Sequence, residues 1–280
     1  MVRLSPSVFR HFERFSLYNS PYPAHDAGHA IDLYPSRDTA EAPSPVAGEV
    51  LDVHRTEAPE RPGGEGDDYL IVVDSGAQTG RLLHVEPSVE VGDHVERGDS
   101  LGRLIDSGYF APWVDPHVHL GFRPPGANVV RARGSLPLCL PFDVRAVPWD
   151  GRGTVVRTEA THLVLDAPGH PDPGRMFAGV SADGGRGALD GGLPHYPGGG
   201  LLSGQSGPVS LFGVPVGEAN GRDVCWRDVS VQVDGRPARG LSLFCGRDAL
   251  YVKVVCPAVA DEFESGEAVT VTIARGPSKG

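Results

Sequence analysis

Glycine and proline interrupt this sequence so often that little of it can be helical. The 280 residues include 38 glycines and 26 prolines. The runs between them are short, rich in valine, leucine and threonine, and lack a helical period, which is typical of β-strands. The sequence therefore predicts an all-β protein. Twelve runs have strand character, at 30–33, 48–53, 69–74, 80–84, 101–105, 117–122, 153–158, 162–166, 229–233, 241–245, 249–255 and 268–273.

The length of the chain favours two domains, because single domains usually contain about 100 to 200 residues. We expect an N-terminal extension over 1–20, a first domain over 21–125 and a β-rich region over 126–280. The stretch 124–135 is the predicted boundary, since its proline, glycine and arginine content breaks the strand pattern.

The C-terminal region has the pattern of a small β-sandwich. Asp234-Gly235 is a residue pair typical of a type I′ turn and predicts a hairpin that begins with strand 229–233. Glycine is dense over 167–207, which predicts a loop there, either mobile or simply solvated. Nothing in this region has the spacing of a catalytic site.

Charge and hydropathy exclude several classes of function. With 25 basic and 36 acidic side chains the formal charge is −11, so we expect no binding to nucleic acid or to an anionic membrane surface. Arginine greatly outnumbers lysine, which together with the acidity fits adaptation to high salt. The first 22 residues lack an apolar signal core and no run of 18 apolar residues occurs, so we expect a cytoplasmic protein without a membrane span.

Two histidines lie two residues apart within Asp115-Pro116-His117-Val118-His119-Leu120. Side chains alternate along a strand, so both imidazoles project from one face. A His-x-His pair on a strand is a possible metal site, but on its own it is a weak signal.

Three further segments precede this pair and strengthen the signal. They are GHAIDL at 28–33, SPVAGEV at 44–50 and LLHV at 82–85, followed over 89–102 by a V-x-V-G-x-x-V-x-x-G-x-x-L-G rhythm. In this order, over about a hundred residues, they resemble the lysostaphin/LytM family of zinc endopeptidases. That family has an early His and Asp, a P-V-x-G-x-V turn, a His that closes a strand, the same glycine rhythm and a final G-P-H-L-H-F.

The resemblance implies a duplicated hybrid motif, a barrel-sandwich-like fold, and a zinc-dependent metalloendopeptidase. Residue by residue, it implies that His29, Asp32 and His119 ligate Zn²⁺. His84 and His117 would orient the water and stabilise the oxyanion. The expected substrate is a peptide or a peptide-containing polymer. Three N/O ligands leave the fourth tetrahedral position of zinc open for water, and the aromatic loop 107–113 could wall the cleft.

The first ligand departs from the family's H-x-G-x-D spacing. His29 is only three residues before Asp32, which on a regular strand would put the two on opposite faces. Gly28 could allow a bulge that turns His29 to the face of Asp32. His25 is the fallback, at the cost of ordering the loop between it and Gly28.

Two other classes of function compete with the enzyme. A lipoyl- or biotinyl-type carrier needs a lysine in the first domain, but the chain's two lysines, Lys253 and Lys279, lie outside it. A degenerate relative that keeps the metal but acts as a binding or regulatory module remains open.

Overall fold

A computed structural model gives the structure of residues 1–276, so Lys279 lies outside the described residues. Over that range the chain is all β, as the sequence predicts, and contains no α-helix. No helix there is long and apolar enough to cross a membrane. The helical turns are short 3-10 segments at Pro6–Phe9, Asp26–Gly28, Asp183–Gly185 and Ala260–Glu262.

Contacts within the chain define two compact units. The first consists of Met1–Phe15 and His29–Phe142, and the second of Ser16–Gly28 and Asp143–Gly280. Each unit thus combines a long C-terminal piece with a short N-terminal piece. The segment Ser16–Gly28 therefore makes most of its contacts with residues far from it in sequence.

Twelve strands precede residue 143. They are β1 (Val2–Arg3), β2 (Arg14–Ser16), β3 (Ala30–Tyr34), β4 (Glu41–Pro43), β5 (Gly48–Glu57), β6 (Asp67–Asp74), β7 (Thr79–Leu83), β8 (Val85–Pro87), β9 (His94–Val95), β10 (Ser100–Leu104), β11 (Val118–Arg123) and β12 (Leu138–Cys139). In the first unit, β3, β11, β7, β6, β5 and β9 are hydrogen-bonded antiparallel neighbours in that order. A smaller sheet has the order β4, β10, β8.

The register of β3, β11 and β7 fixes the positions of the predicted site residues. His119 of β11 is opposite Asp32 of β3 and also opposite Leu83 of β7. All five residues of β3 are buried. A polar side chain in such a strand needs partners, because burying an unpaired carboxylate is costly.

Fifteen strands lie within residues 143–276. They are β13 (Arg145–Val147), β14 (Arg152–Glu159), β15 (His162–Leu165), β16 (Ala178–Val180), β17 (Leu189–Leu193), β18 (Gly198–Leu201), β19 (Gly207–Leu211), β20 (Val214–Asn220), β21 (Asp223–Trp226), β22 (Val229–Val233), β23 (Arg236–Ala238), β24 (Gly240–Leu243), β25 (Cys245–Gly246), β26 (Val252–Val255) and β27 (Ala268–Arg275).

The second unit is built on one long sheet with the order β19, β20, β21, β18, β17, β24, β26, β15, β14, β27, β22, β23. Buried and exposed residues alternate along β22 and β27, as expected where one face packs on a core. The predicted turn is present, since β22 and β23 join across Asp234 and Gly235, both with positive φ.

The glycine-rich stretch 167–207 is not a loop, and the prediction of one was wrong. It contains β16, β17 and β18, and every residue of these strands except Gly198 is buried. The glycines serve close packing: a Cβ on Gly199 would lie 2.1 Å from the ring of Trp226, and one on Gly200 would lie 2.4 Å from the ring of Tyr18. A high glycine content alone does not distinguish a solvated loop from closely packed strands.

Candidate metal centre

Asp32 and His119 form a buried cross-strand pair. They are directly opposite in the β3–β11 ladder, and only 2% and 6% of their surfaces are exposed. His119 Nδ1 lies 2.9 Å from Asp32 Oδ1. A nitrogen and a carboxylate oxygen at this separation can bind one cation together.

His25 completes a group of three possible ligands. One donor atom from each of His25, Asp32 and His119 lies within 4.8 Å of the other two, and all three residues are buried. Within residues 1–276 this is the one such group of His, Cys, Asp and Glu side chains. His25 Nδ1 lies 2.9 Å from the carbonyl oxygen of Leu17. Because a carbonyl only accepts, Nδ1 carries the proton, which leaves Nε2 as the nitrogen that can bind a metal.

The structure corrects the preference for His29, because His25 and not His29 belongs to the group. His29 is half-buried and precedes the first residue of β3. Ala27 and Gly28 both have positive φ in a 3-10 turn, and Gly28 N–H donates to the His25 carbonyl. The flexibility of Gly28 therefore folds the loop back and places His25, the fallback residue, instead of turning His29 inward.

His117 lies beside the Asp32–His119 pair, just before β11 begins. Its Nε2 is 3.4 Å from Asp32 Oδ1, and its Nδ1 is 2.9 Å from the carbonyl oxygen of Asp115. Phe110 stacks on the imidazole with ring centroids 4.6 Å apart, and the Tyr34 ring lies 4.9 Å away. These contacts fix both the tautomer and the plane of the His117 ring.

His84 is held by a buried carboxylate that the sequence analysis did not identify. Its Nδ1 is 2.6 Å from Asp68 Oδ2, and its backbone N–H donates to Asp68 Oδ1. Ser107 Oγ donates to the same carboxylate. Burial alone raises the pKa of Asp68, but the charge and hydrogen bond of His84 and the Ser107 hydroxyl outweigh it and hold that pKa below its ordinary value. Asp68 is thus a carboxylate that orients an imidazole.

Three imidazoles of the first unit, those of His84, His117 and His119, lie close together. The ring centroid of His84 is 5.2 Å from that of His117 and 5.8 Å from that of His119. Phe110 also packs edge-on against His84, with centroids 4.6 Å apart. The predicted aromatic loop therefore does contribute a wall, through Phe110.

A second buried carboxylate, Asp190 of β17, supports the segment that carries His25. Asp190 accepts hydrogen bonds from Ser16 Oγ at 2.5 Å and from Leu17 N–H at 2.6 Å. The Leu17 carbonyl is the acceptor for His25 Nδ1. Burial raises the pKa of Asp190 to about 7, despite these donors. Only the three-dimensional structure reveals this connection, since Asp190 lies in the stretch that composition predicts as a loop.

The donor set fits zinc. Two imidazole nitrogens and one carboxylate oxygen are the N/O ligands typical of a catalytic zinc site, which keeps a fourth position for water or substrate. The hydrogen bond from His25 Nδ1 to a carbonyl is the outer contact expected of a metal-binding imidazole.

Comparisons with known proteins give a family and a distant likeness. Residues 3–140 match the model described as "Domain of unknown function (DUF8155) N-terminal domain", and residues 145–274 match the corresponding C-terminal domain. No curated protein matches the chain. Among solved structures, the catalytic domain of the antimicrobial peptidase lysostaphin from Staphylococcus simulans is similar at 18% identity and a TM-score of 0.29, over 45% of this chain and 88% of that one. The NMR solution structure of lysostaphin is similar at 13% identity and a TM-score of 0.27, over 88% and 89%.

Proposed function

Because the chain belongs to the DUF8155 family, whose description states no activity, we propose a function from the site itself. The protein is a zinc-dependent metalloendopeptidase that hydrolyses a peptide bond with metal-activated water. The observation that carries this proposal is the buried group of His25, Asp32 and His119, with two further oriented imidazoles beside it. The sequence motifs that resemble the lysostaphin/LytM family support the same chemistry.

His25, Asp32 and His119 would hold the metal. Bound zinc supplies a Lewis acid and lowers the pKa of its water to about 7. Asp32 contributes the negative charge of the donor set, and its burial strengthens its attraction for a cation. Three ligands from the chain leave room for water and the substrate carbonyl.

His84 and His117 would serve the reaction without binding the metal. Each has its Nδ1 bound to an acceptor, Asp68 for His84 and the Asp115 carbonyl for His117. Each therefore presents Nε2 as the nitrogen that takes or gives a proton. We assign to them the proton transfer from water and the stabilisation of the oxyanion, the two tasks that peptide hydrolysis sets.

The substrate would be a peptide or a peptide-containing polymer. Phe110 stacks on His117 and packs against His84, so it gives the site an apolar wall. The formal charge of −11 disfavours a nucleic acid.

A second candidate function is a non-catalytic module that keeps the metal for binding or regulation. The observation that favours it is the burial of the donors, since His25, Asp32 and His119 are only 3%, 2% and 6% exposed. A peptide must reach the metal in an enzyme but not in a binding module. Hydrolysis of a peptide panel separates the two.

The first test is metal content with activity. We expect about one zinc per chain after reconstitution at neutral pH, and cleavage of at least one peptide of a varied panel that stops on chelation and returns with zinc. Well under half an equivalent of zinc would refute the metal centre. A full equivalent without any cleavage would favour the binding module.

The second test separates the paired histidines. His119→Ala should lose zinc and activity together, because it removes a ligand. His117→Ala should keep zinc and lose activity by on the order of 100-fold or more, since we assign this imidazole to the transition state and not to the metal. If both variants bind zinc like the parent, the assignment of His119 is wrong.

A further inference from the structure

Two arginines, Arg81 of β7 and Arg123 of β11, are buried side by side in the first unit. Only 4% of Arg81 and 1% of Arg123 are exposed. Arg81 is opposite Gly121, and Arg123 is two residues further along β11, so the two are diagonal neighbours on one face of the sheet. Burying two like charges together is costly unless something compensates them.

No carboxylate compensates either guanidinium within residues 1–276. Arg81 Nε donates to the Val129 carbonyl at 2.5 Å. Arg123 donates to the Ser135 hydroxyl and, at 2.7 Å, to the Arg131 carbonyl. These acceptors are neutral, and Arg123 Nε is buried without a hydrogen-bond partner. Burial and the charge of Arg123 lower the pKa of Arg81 to about 10, so Arg81 still carries its charge at neutral pH. Burial also lowers the pKa of Arg123, but a guanidinium keeps its proton in proteins.

The acceptors of these arginines lie in one loop, 124–135, that packs on this face of the sheet. Ser135 Oγ would be 3.1 Å from a Cβ on Gly121. The loop also carries two exposed arginines, Arg131 and Arg133, and no acidic residue. The pair therefore lies in a positively charged environment with an open donor.

We propose that Arg81 and Arg123 form a binding site for an oxyanion, a phosphate, sulfate or carboxylate group. The planar guanidinium fork matches such groups with paired N–H donors. A bound anion would compensate the two charges and accept from donors that now face neutral or no acceptors. This site does not depend on the proposed metal centre.

The oxyanion could be a free ion or a group carried by a peptide. His119, Gly121 and Arg123 alternate on the same face of β11, with about 7 Å between successive members of this series. An acidic group on a peptide bound along this face could therefore reach the arginines. Both sources share one chemistry, and binding measurements distinguish them.

The test uses the full chain freed of zinc by chelation, so that phosphate cannot bind a metal. Inorganic phosphate, titrated by calorimetry at constant ionic strength in chloride, should bind saturably at one site. Arg123→Gln and Arg81→Gln should weaken this binding at least tenfold. Arg97→Gln, an exposed arginine of the first unit outside this loop, is the matched control and should leave it unchanged.

Absence of saturable phosphate binding to the parent overturns the proposal, and so does equal binding to all three variants. If the buried variants do not fold, crystals of the parent soaked in selenate decide. An anomalous peak in contact with both guanidiniums supports the site, and a peak elsewhere or none refutes it.

Two capped amino acids identify the source of the anion. Displacement of phosphate by an N-acetylated, amidated glutamate, but not by its glutamine counterpart, assigns the site to a peptide-borne carboxylate. Phosphate binding that neither compound affects assigns it to a free oxyanion. Because zinc is absent throughout, these results hold whether or not the protein proves to be a peptidase.

Discussion

Hydrogen bonds to ring nitrogens decide which atom each imidazole offers at the proposed metal centre. His25, His84 and His117 all bind a protein acceptor through Nδ1, which leaves Nε2 for metal or proton. His119 differs, because its Nδ1 faces Asp32. Sequence motifs identify His119 and Asp32 but not these acceptors, two of which are backbone carbonyls that no residue type reveals.

The sharpest prediction for single residues is that His25, and not His29, binds the metal. His25→Ala should weaken zinc binding by on the order of 100-fold or more, because it removes a ligand, and loss of an outer contact alone costs 10- to 100-fold. His29→Ala is the matched control, four residues away, and should bind zinc like the parent. Competition with a zinc-sensitive dye measures both. The reverse pattern would restore His29 as the ligand.

At the scale of elements, β17 shows where prediction from sequence fails. The strands around Asp32 and His119 are apolar runs bounded by turns, so their pattern predicts them. In β17, Asp-Gly-Gly lacks any strand signal, and its pairing with β24 depends on a partner strand distant in sequence, in which Leu243 is opposite Gly191. Asp68 was missed for a similar reason: its partner His84 is sixteen residues away, across the turn between β6 and β7.

Asp190 of β17 should make the stability of the zinc-free protein depend on pH. Its pKa is raised from 3.8 to about 7 in the folded state. Between these values the native protein keeps a proton that the unfolded chain has lost, so the free energy of unfolding falls as pH rises. The full effect is on the order of 4 kcal/mol.

Urea unfolding at pH 4.5 and pH 7.5 tests this. Asp190→Asn should remove the part of the fall in the free energy of unfolding that is due to Asp190. Asp261 is an exposed carboxylate in the second unit, so Asp261→Asn should show the same fall as the parent. An unchanged decline in Asp190→Asn would show that Asp190 titrates near its ordinary pKa.

On the scale of the whole molecule, the segment Ser16–Gly28 belongs by its contacts to the second unit, although in sequence it lies between the two pieces of the first unit. Ser16 and Leu17 bind Asp190, and Tyr18 Oη donates to Asp223 at 2.8 Å. Length and composition predict two domains, but no local pattern predicts that an early segment is held by the late half of the chain.

A truncation after Phe142 tests whether zinc binding requires the contacts that hold the segment Ser16–Gly28. The shortened chain keeps His25, Asp32 and His119 but lacks the partners of Ser16–Gly28. We expect it to lose zinc affinity by at least about 100-fold, because ordering a residue costs roughly 1 to 2 kcal/mol and ordering even two residues of the free segment is enough for such a loss. Circular dichroism should confirm that its β-structure remains. Zinc binding equal to that of the full chain would mean that the first half holds His25 unaided.

The close approach of Gly199 to Trp226 and of Gly200 to Tyr18 bears on how this family can diverge. In each pair the ring occupies the volume that a side chain on the glycine would need. A single substitution of the glycine must displace the ring, and removal of the ring leaves a void against bare backbone. We therefore expect the two members of each pair to be replaced together in related chains. Where the glycine has gained a side chain, a smaller residue should stand in place of the ring.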